Sequence, residues 1–458
     1  MLLSIGLVAT AWASVVSATT SYASKPTQST IEPSPTQVQS SEATATGISP
    51  VSNVQGLAFD RIIQIWLENT DYDLAASNPD MRVLAKEAIT LTNYYATTHP
   101  SEPNYAAVVG GDNFGLDADD FNALPANIST VVDLLDTKGI SWAEYQEHIP
   151  YAGFQGFNYS NQQNFANDYV RKHNPLVLYQ SVTSNATRLS LIKSFESFNS
   201  DVKAETLPQW SFVTPNMTND GHDTTIAYAS TWSRSFIEPM LSNPYVMNNT
   251  LIILTFDEVE TYTTGNKVFA LLLGGAIPSS LKGTTDDTYY NHYSTISTVS
   301  ANWGLPSLGR WDCGANILEL VANKTGYKNS VVNTTELYFN SSYPGPLSTT
   351  KYIPSWPIPD TDAKCANGLG VLSSIVSTWG HSNGTYNYST PYPYDEVSGT
   401  NVVKSESSSG TSTSGGSGSA SSASASQSTT AKPSSAASMN RASDALVMAA
   451  GAMAAALL

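Results

Sequence analysis

Five short apolar runs, RIIQIWLEN, ITLTNYYATT, WSFVTP, LIILTFDE and VFALLLGG, decide what this chain can fold into. Each is close to continuously hydrophobic, far shorter than a membrane-crossing helix, and bounded by polar or turn residues. That is the pattern of a strand covered on both faces, since a strand with one wet face alternates instead. Amphipathic stretches at 79–87, 128–138, 187–199 and 225–241 read as helices. Strands alternating with helices predict an α/β fold, a mostly parallel sheet with helices on both faces. Such sheets gather ligands beyond the carboxyl ends of their strands, so polar residues where an apolar run stops mark the place for chemistry.

The flanks differ from this middle. Residues 1–18 are apolar and end in small residues, the form of a secretory signal peptide. Residues 19–55, rich in Ser, Thr, Pro and Gln, read as a disordered leader, 56–400 as the folded domain, and 401–438 as a Ser/Gly/Ala-rich stalk. Residues 439–458 place the apolar ALVMAAGAMAAALL after the polar spacer MNRASD, the order of a GPI-attachment propeptide. The implied route is secretion to the cell surface or cell wall, with a GPI anchor to the plasma membrane. In that oxidising setting Cys313 and Cys365 pair into one disulfide closing a loop of about fifty residues. Sequons at Asn127, Asn158, Asn185, Asn216, Asn248, Asn323, Asn333, Asn340, Asn383 and Asn387 predict N-glycans on exposed loops. A net charge of −17 over 458 residues argues against nucleic acid as a partner, and suits an acidic setting that relaxes self-repulsion.

The strand ends carry the candidate chemistry. RIIQIWL stops at Glu68 and Asn69, ITLTNYYATT at His99 and Ser101, WSFVTP leads into NMTNDGHD, and LIILTF stops at Asp257 and Glu258. Glu68, Asn69, Asp257 and Glu258 are hard oxygen ligands suited to a divalent cation, and burying several carboxylates without one is costly. Asp220, His222 and His292 extend the ligand set, which leaves Zn, Mn, Fe, Mg and Ca all open. Asn216 lies in the same segment, so either its sequon is vacant or the segment is not wholly buried.

Ser101, in TTHPSEPNY, sits at a strand-to-helix junction with Pro103 in the first helical turn. There it is placed as a nucleophile at a helix N-terminus that favours anions. Asn104 can donate to a non-bridging oxygen, and His99 or His173 can protonate a leaving group. RKHNP adds Arg171 and Lys172, positive charge that the acidic chain otherwise lacks. A serine, a cation and a helix N-terminus together describe phosphoryl transfer. No G-x-S-x-G elbow and no G-x-x-x-x-G-K-[ST] loop occurs, which disfavours acyl transfer and nucleotide-dependent kinase chemistry.

The ordered set IWLENTDYD, HPSEPNY, RKHNP, NDGHD, LTFDE and NHYSTISTVSANWGLP resembles the phosphoesterase family of acid phosphatases and bacterial phospholipases C, fungal secreted acid phosphatases above all. The resemblance spans residues 58–345 and implies an alkaline-phosphatase-like three-layer α/β/α fold. It matches Glu68 and Asn69 to the family's first metal-binding motif, Asp257 and Glu258 to its later acidic pair, and Ser101 to its nucleophile. The S-x-P-N order is similar to the T-F-P-N stretch of nucleotide pyrophosphatases, and His292 falls where that wider superfamily places a metal-ligand histidine. ENTDYD replaces the ENRSFD of the bacterial phospholipases, a difference that bears on lipid specificity. The expected activity is hydrolysis of small phosphate monoesters through a phosphoserine. A phosphodiesterase or phospholipase C using the same site is the alternative, and a non-catalytic, calcium-binding wall glycoprotein is the third reading.

Overall fold

The computed structural model describes residues 30–335 and 337–382. The expected signal peptide, stalk, GPI propeptide and the sequons at Asn383 and Asn387 lie outside the described residues. The strands are β1 Arg61–Leu67, β2 Ile89–Tyr95, β3 Trp142–Gln146, β4 Asn158–Tyr159, β5 Tyr169–Val170, β6 Ile192–Ser194, β7 Trp210–Thr214, β8 Thr250–Phe256, β9 Lys267–Leu273, β10 Thr284–Asp286 and β11 Tyr290–Asn291. All but β4 and β5, which pair with each other, form one sheet in the order β10-β2-β9-β8-β1-β7-β3-β6, with β11 also beside β2. The five apolar runs are thus β1, β2, β7, β8 and β9.

The sheet is parallel except for β9, which runs antiparallel to both β2 and β8. The reason lies in chain length. A parallel crossover needs about a dozen residues or more, and the 257–266 connection between β8 and β9 is too short for one. That connection therefore stays at the end of β8 as a loop. Central β1 is flanked by β7 and β8, and six of its seven residues are buried, which explains why all of them but Gln64 are hydrophobic. Leu67 is the register partner of Phe256, so the residues that follow them, Glu68 and Asp257, emerge side by side.

Three expected helices are present, at Pro79–Ala85, Val131–Asp136 and Ile226–Leu241. The 187–199 stretch is not one helix. It divides into the end of Ala186–Leu189, strand β6, and the start of Phe195–Ala204, because Ile192–Ser194 completes the sheet edge against Glu144–Gln146. The leader needs a second correction: over its described part it is folded onto the domain. Ser34 and Gln37 form a capping box that starts a helix at Pro35–Glu42. Beyond it the buried Gln209 side chain accepts from the Ser52 hydroxyl and the Val54 N–H and donates to the Val54 and Asp60 carbonyls. These hydrogen bonds act together with Ile48 and Val54, which pack against the main core, and the Ser/Thr/Pro/Gln composition of the segment gives no sign of either. Cys313 and Cys365 form the expected disulfide, 52 residues apart.

The GG that ends VFALLLGG is a packing requirement. Gly274 has φ +99°, and a Cβ on Gly275 would sit 1.6 Å from the Met247 carbonyl oxygen. Backbone cannot retreat the way a side chain tip can. Gly275→Ala therefore lowers stability by about 2–4 kcal/mol, read as a shift in the urea midpoint with little change in slope.

Candidate active site

The helix Ser101–Gly110 starts at Ser101, capped by Pro100, and is buried along its whole length. Ser101 Oγ donates to Glu68 Oε2 at 3.0 Å. One turn on, the Tyr105 hydroxyl donates to the other oxygen, Glu68 Oε1. His173 closes the far side, with Nε2 at 3.2 Å from Glu68 Oε1 and Nδ1 at 3.4 Å from Asp220 Oδ2. Asp220 is itself tied to β1's end, its carbonyl accepting from the Glu68 N–H. The ends of β1 and β8, the loop after β7 and the helix after β2 thus converge on one buried point.

Glu258 organises the neighbouring wall. Its Oε1 accepts from Asn69 Nδ2 and the Tyr262 hydroxyl, and its Oε2 lies 3.0 Å from His99 Nδ1 and 3.2 Å from Asn104 Nδ2. Asn104 is otherwise committed to its own loop. Its Oδ1 accepts from the Thr97 N–H and hydroxyl and the Thr98 N–H, and its Nδ2 donates to the Thr98 and Pro100 carbonyls. The amide expected to face a phosphate oxygen is therefore a brace for the Ser101 turn. His292 also departs from expectation. Its Nε2 is 2.6 Å from the Asp257 carbonyl, its Nδ1 is 3.2 Å from the Tyr94 hydroxyl, and its ring packs 4.3 Å from Trp66. With both nitrogens engaged it supports Asp257 from beneath rather than offering a ligand atom.

On the open side, Lys172 Nζ pairs with Asp119 Oδ2 at 2.9 Å and lies 3.2 Å from His222 Nε2. Asp119 Oδ1 accepts the Glu102 N–H, so a carboxylate already answers that donor at the helix N-terminus. Burial tends to lower the Lys172 ammonium, yet Asp119 and Glu68 outweigh it and hold it above its ordinary value.

The donor set fits a cation. Glu68, His173 and His222 each offer a ligand atom, and these atoms lie within 4.8 Å of one another. His173, placed by sequence among the proton donors, thereby joins the ligand candidates. Around them Asn69 Oδ1, both His173 nitrogens, Asp220 Oδ2 and Asp257 Oδ2 are buried with no hydrogen-bond partner among the described residues. Buried acceptors left unanswered are costly in a native fold, and a cation answers several at once. Electrostatics point the same way. Burial raises Glu68, Asp220, Asp257 and Glu258, with Glu68 adding repulsion to the other three, while burial lowers His173 well below the usual imidazole value and His99 to about 4.

The phosphoesterase family pattern matches residues 66–306, which hold every candidate residue named above. The chain belongs to the phosphoesterase family. As a phosphoesterase it is an enzyme, a phosphoric ester hydrolase. An acid phosphatase of Aspergillus fumigatus is 61% identical over 374 residues, 81% of this chain and 84% of the relative. A phosphate-repressible acid phosphatase of Penicillium chrysogenum is 55% identical, covering 81% of this chain and 90% of the relative. Among solved structures, a protein of the alkaline phosphatase superfamily from Vibrio parahaemolyticus aligns with TM-score 0.36 at 14% identity, covering 58% of this chain and 73% of that one.

Three residues of this phosphoesterase site escape a motif reading. Tyr105 carries a signal, since it stands four residues after Ser101 and so on the same helix face. Asp119 and Tyr262 carry none, because only the folded loops bring them to Lys172 and Glu258.

Proposed function

We propose that this phosphoesterase is a secreted, cell-surface acid phosphatase that releases orthophosphate from monoesters through a phosphoserine at Ser101. The observation that carries the reading is the Ser101 hydroxyl, buried at a helix start and bonded to Glu68 beside Asp220 and Asp257, whose Oδ2 atoms have no hydrogen-bond partner among the described residues. Glu68 and Asp257, with His173, Asp220 and His222 beside them, would hold a divalent cation. When bound it lowers the hydroxyl's pKa and neutralises charge on the transferring phosphoryl group.

Ser101 Oγ attacks phosphorus as the ester P–O bond breaks, and Glu68 Oε2, its hydrogen-bond partner, stands ready for the hydroxyl proton. The departing oxygen takes a proton from the Lys172 ammonium, which lies on the open side of the cluster paired with Asp119. Water then attacks the phosphoserine, phosphate leaves, and Ser101 regains its proton. Asn104 and Tyr105 hold the turn and the carboxylate in register. The names of the fungal relatives support monoesters over diesters. An assay on p-nitrophenyl phosphate and bis-p-nitrophenyl phosphate, with and without chelator, tests this. Monoester turnover lost on chelation and restored by divalent metal is expected; diester preference moves the assignment to a phosphodiesterase, and inactivity on both leaves the calcium-binding glycoprotein.

The secretory leader, GPI tail and sequons support a glycosylated surface location. Not every sequon is usable. Asn216 is 7% exposed, its Nδ2 lies 3.0 Å from His148 Nδ1, and its Oδ1 accepts two backbone N–H groups. Glycopeptide mass spectrometry should find Asn216 bare and glycans on exposed sequons such as Asn127, Asn185 and Asn323.

A further inference from the structure

Tyr262 is a half-exposed aromatic beside the buried carboxylates Glu258 and Asp257. One face of its ring stacks on the buried His99, with centroids 3.8 Å apart and planes 30° from parallel. Its hydroxyl reaches Glu258 Oε1 at 3.3 Å, yet 50% of the residue remains open to solvent. A tyrosine whose task was only to cover His99 would gain by burying its outer side too.

The loop that carries it is braced at several points. Asp71 accepts from the N–H and hydroxyl of Thr261, and Asn340 Nδ2 donates to the carbonyls of Tyr262 and Thr264. The ring is thus held before anything binds, so little ordering cost attends a ligand laid against it. Through Glu258, which also contacts Asn104, it adjoins the turn that presents Ser101.

We propose that Tyr262 is the leaving-group platform, its free ring face stacking flat aromatic groups of phosphate monoesters and so setting a preference for aryl over alkyl esters. The proposal rests on the monoesterase reading above. Stacking a ring against an aromatic side chain is worth roughly a tenfold change in affinity or more, enough to decide among substrates that share a phosphate.

The test is the ratio of kcat/KM for phenyl phosphate to that for glycerol phosphate, measured on the metal-loaded full chain. Y262A and Y262L should lower that ratio by about tenfold, chiefly through KM for the aryl ester, and Y262F should keep it. Inhibition by inorganic phosphate, which has no leaving group, should not move in Y262A. An unchanged ratio in Y262A, whatever its absolute activity, overturns the platform, as does an equal loss on both esters, which marks Tyr262 as a support for His99 and Glu258. Failure of the monoesterase reading shows separately, as a wild-type enzyme with no turnover of either ester.

Discussion

Ser101→Ala loses on the order of 10³–10⁴-fold or more in kcat on a phosphate monoester, while its thermal midpoint stays close to that of the wild type. The two halves have different physical origins. The reaction needs an oxygen at that point to form the covalent intermediate, and Ser101 Oγ supplies it. Tyr105 donates to the other oxygen of Glu68, and its phenol is raised well above its ordinary value, first by burial and then by Glu68. Removing the Ser101 hydroxyl withdraws one donor from Glu68, whose Oε1 keeps Tyr105, so the cost in stability is about 1 kcal/mol. Progress curves together with a thermal melt check both. A variant with comparable turnover removes Ser101 from the nucleophile role, and one that fails to fold gives the hydroxyl a structural duty the geometry does not show.

Asp257→Asn has the second large effect and separates metal binding from folding. Asn keeps the Oδ1 that accepts the Glu258 N–H and removes the charge at Oδ2, which has no hydrogen-bond partner among the described residues. Turnover falls on the order of 10³-fold, and bound metal per chain falls with it. Stability moves oppositely in the two states. Burial raises the folded pKa of Glu68, Asp220, Asp257 and Glu258, so the metal-free fold binds more protons than the unfolded chain at pH values above the ordinary carboxylate range. Stability then falls as pH rises, from about pH 5 toward about pH 7. Chelated wild type should melt lower at neutral than at acidic pH, and Asp257→Asn should flatten that slope. Saturating cation, at about a hundredfold its Kd, adds about 2.7 kcal/mol to the wild type and far less to the variant. A chelated wild type indifferent to pH would mean that these carboxylates are answered by something other than protons or metal.

Sheet strands with both faces covered announce themselves, and β1, β2, β7, β8 and β9 were each legible as an apolar run. β3 was not, because Glu144 and Gln146 sit inside it. Both are buried, and Glu144 Oε1 accepts the Leu176 N–H, a partner thirty-two residues away that no local pattern reveals. The site divides the same way. Glu68, Ser101, Asp257 and Glu258 stand where runs end, so position alone selects them. What a residue does there depends on its other contacts: His292 stands in a matching motif and yet is committed to Asp257 and Tyr94, whereas His173 meets Glu68 and Asp220. The leader's composition points to disorder because only a few scattered apolar residues, Ile48 and Val54 among them, reach the core, and the rest of its contacts run through the side chains of Gln209 and Ser141.

Acid-quenched enzyme, mixed with a phosphate monoester and digested for mass spectrometry, tests most directly whether the chemistry runs through the residue at position 101. A phosphoserine mechanism at this position predicts phosphate on the peptide containing Ser101, with metal-loaded enzyme labelled and chelated enzyme unlabelled. Steady turnover with phosphate found on a histidine, or with labelling of Ser101 that survives removal of all metal, contradicts it.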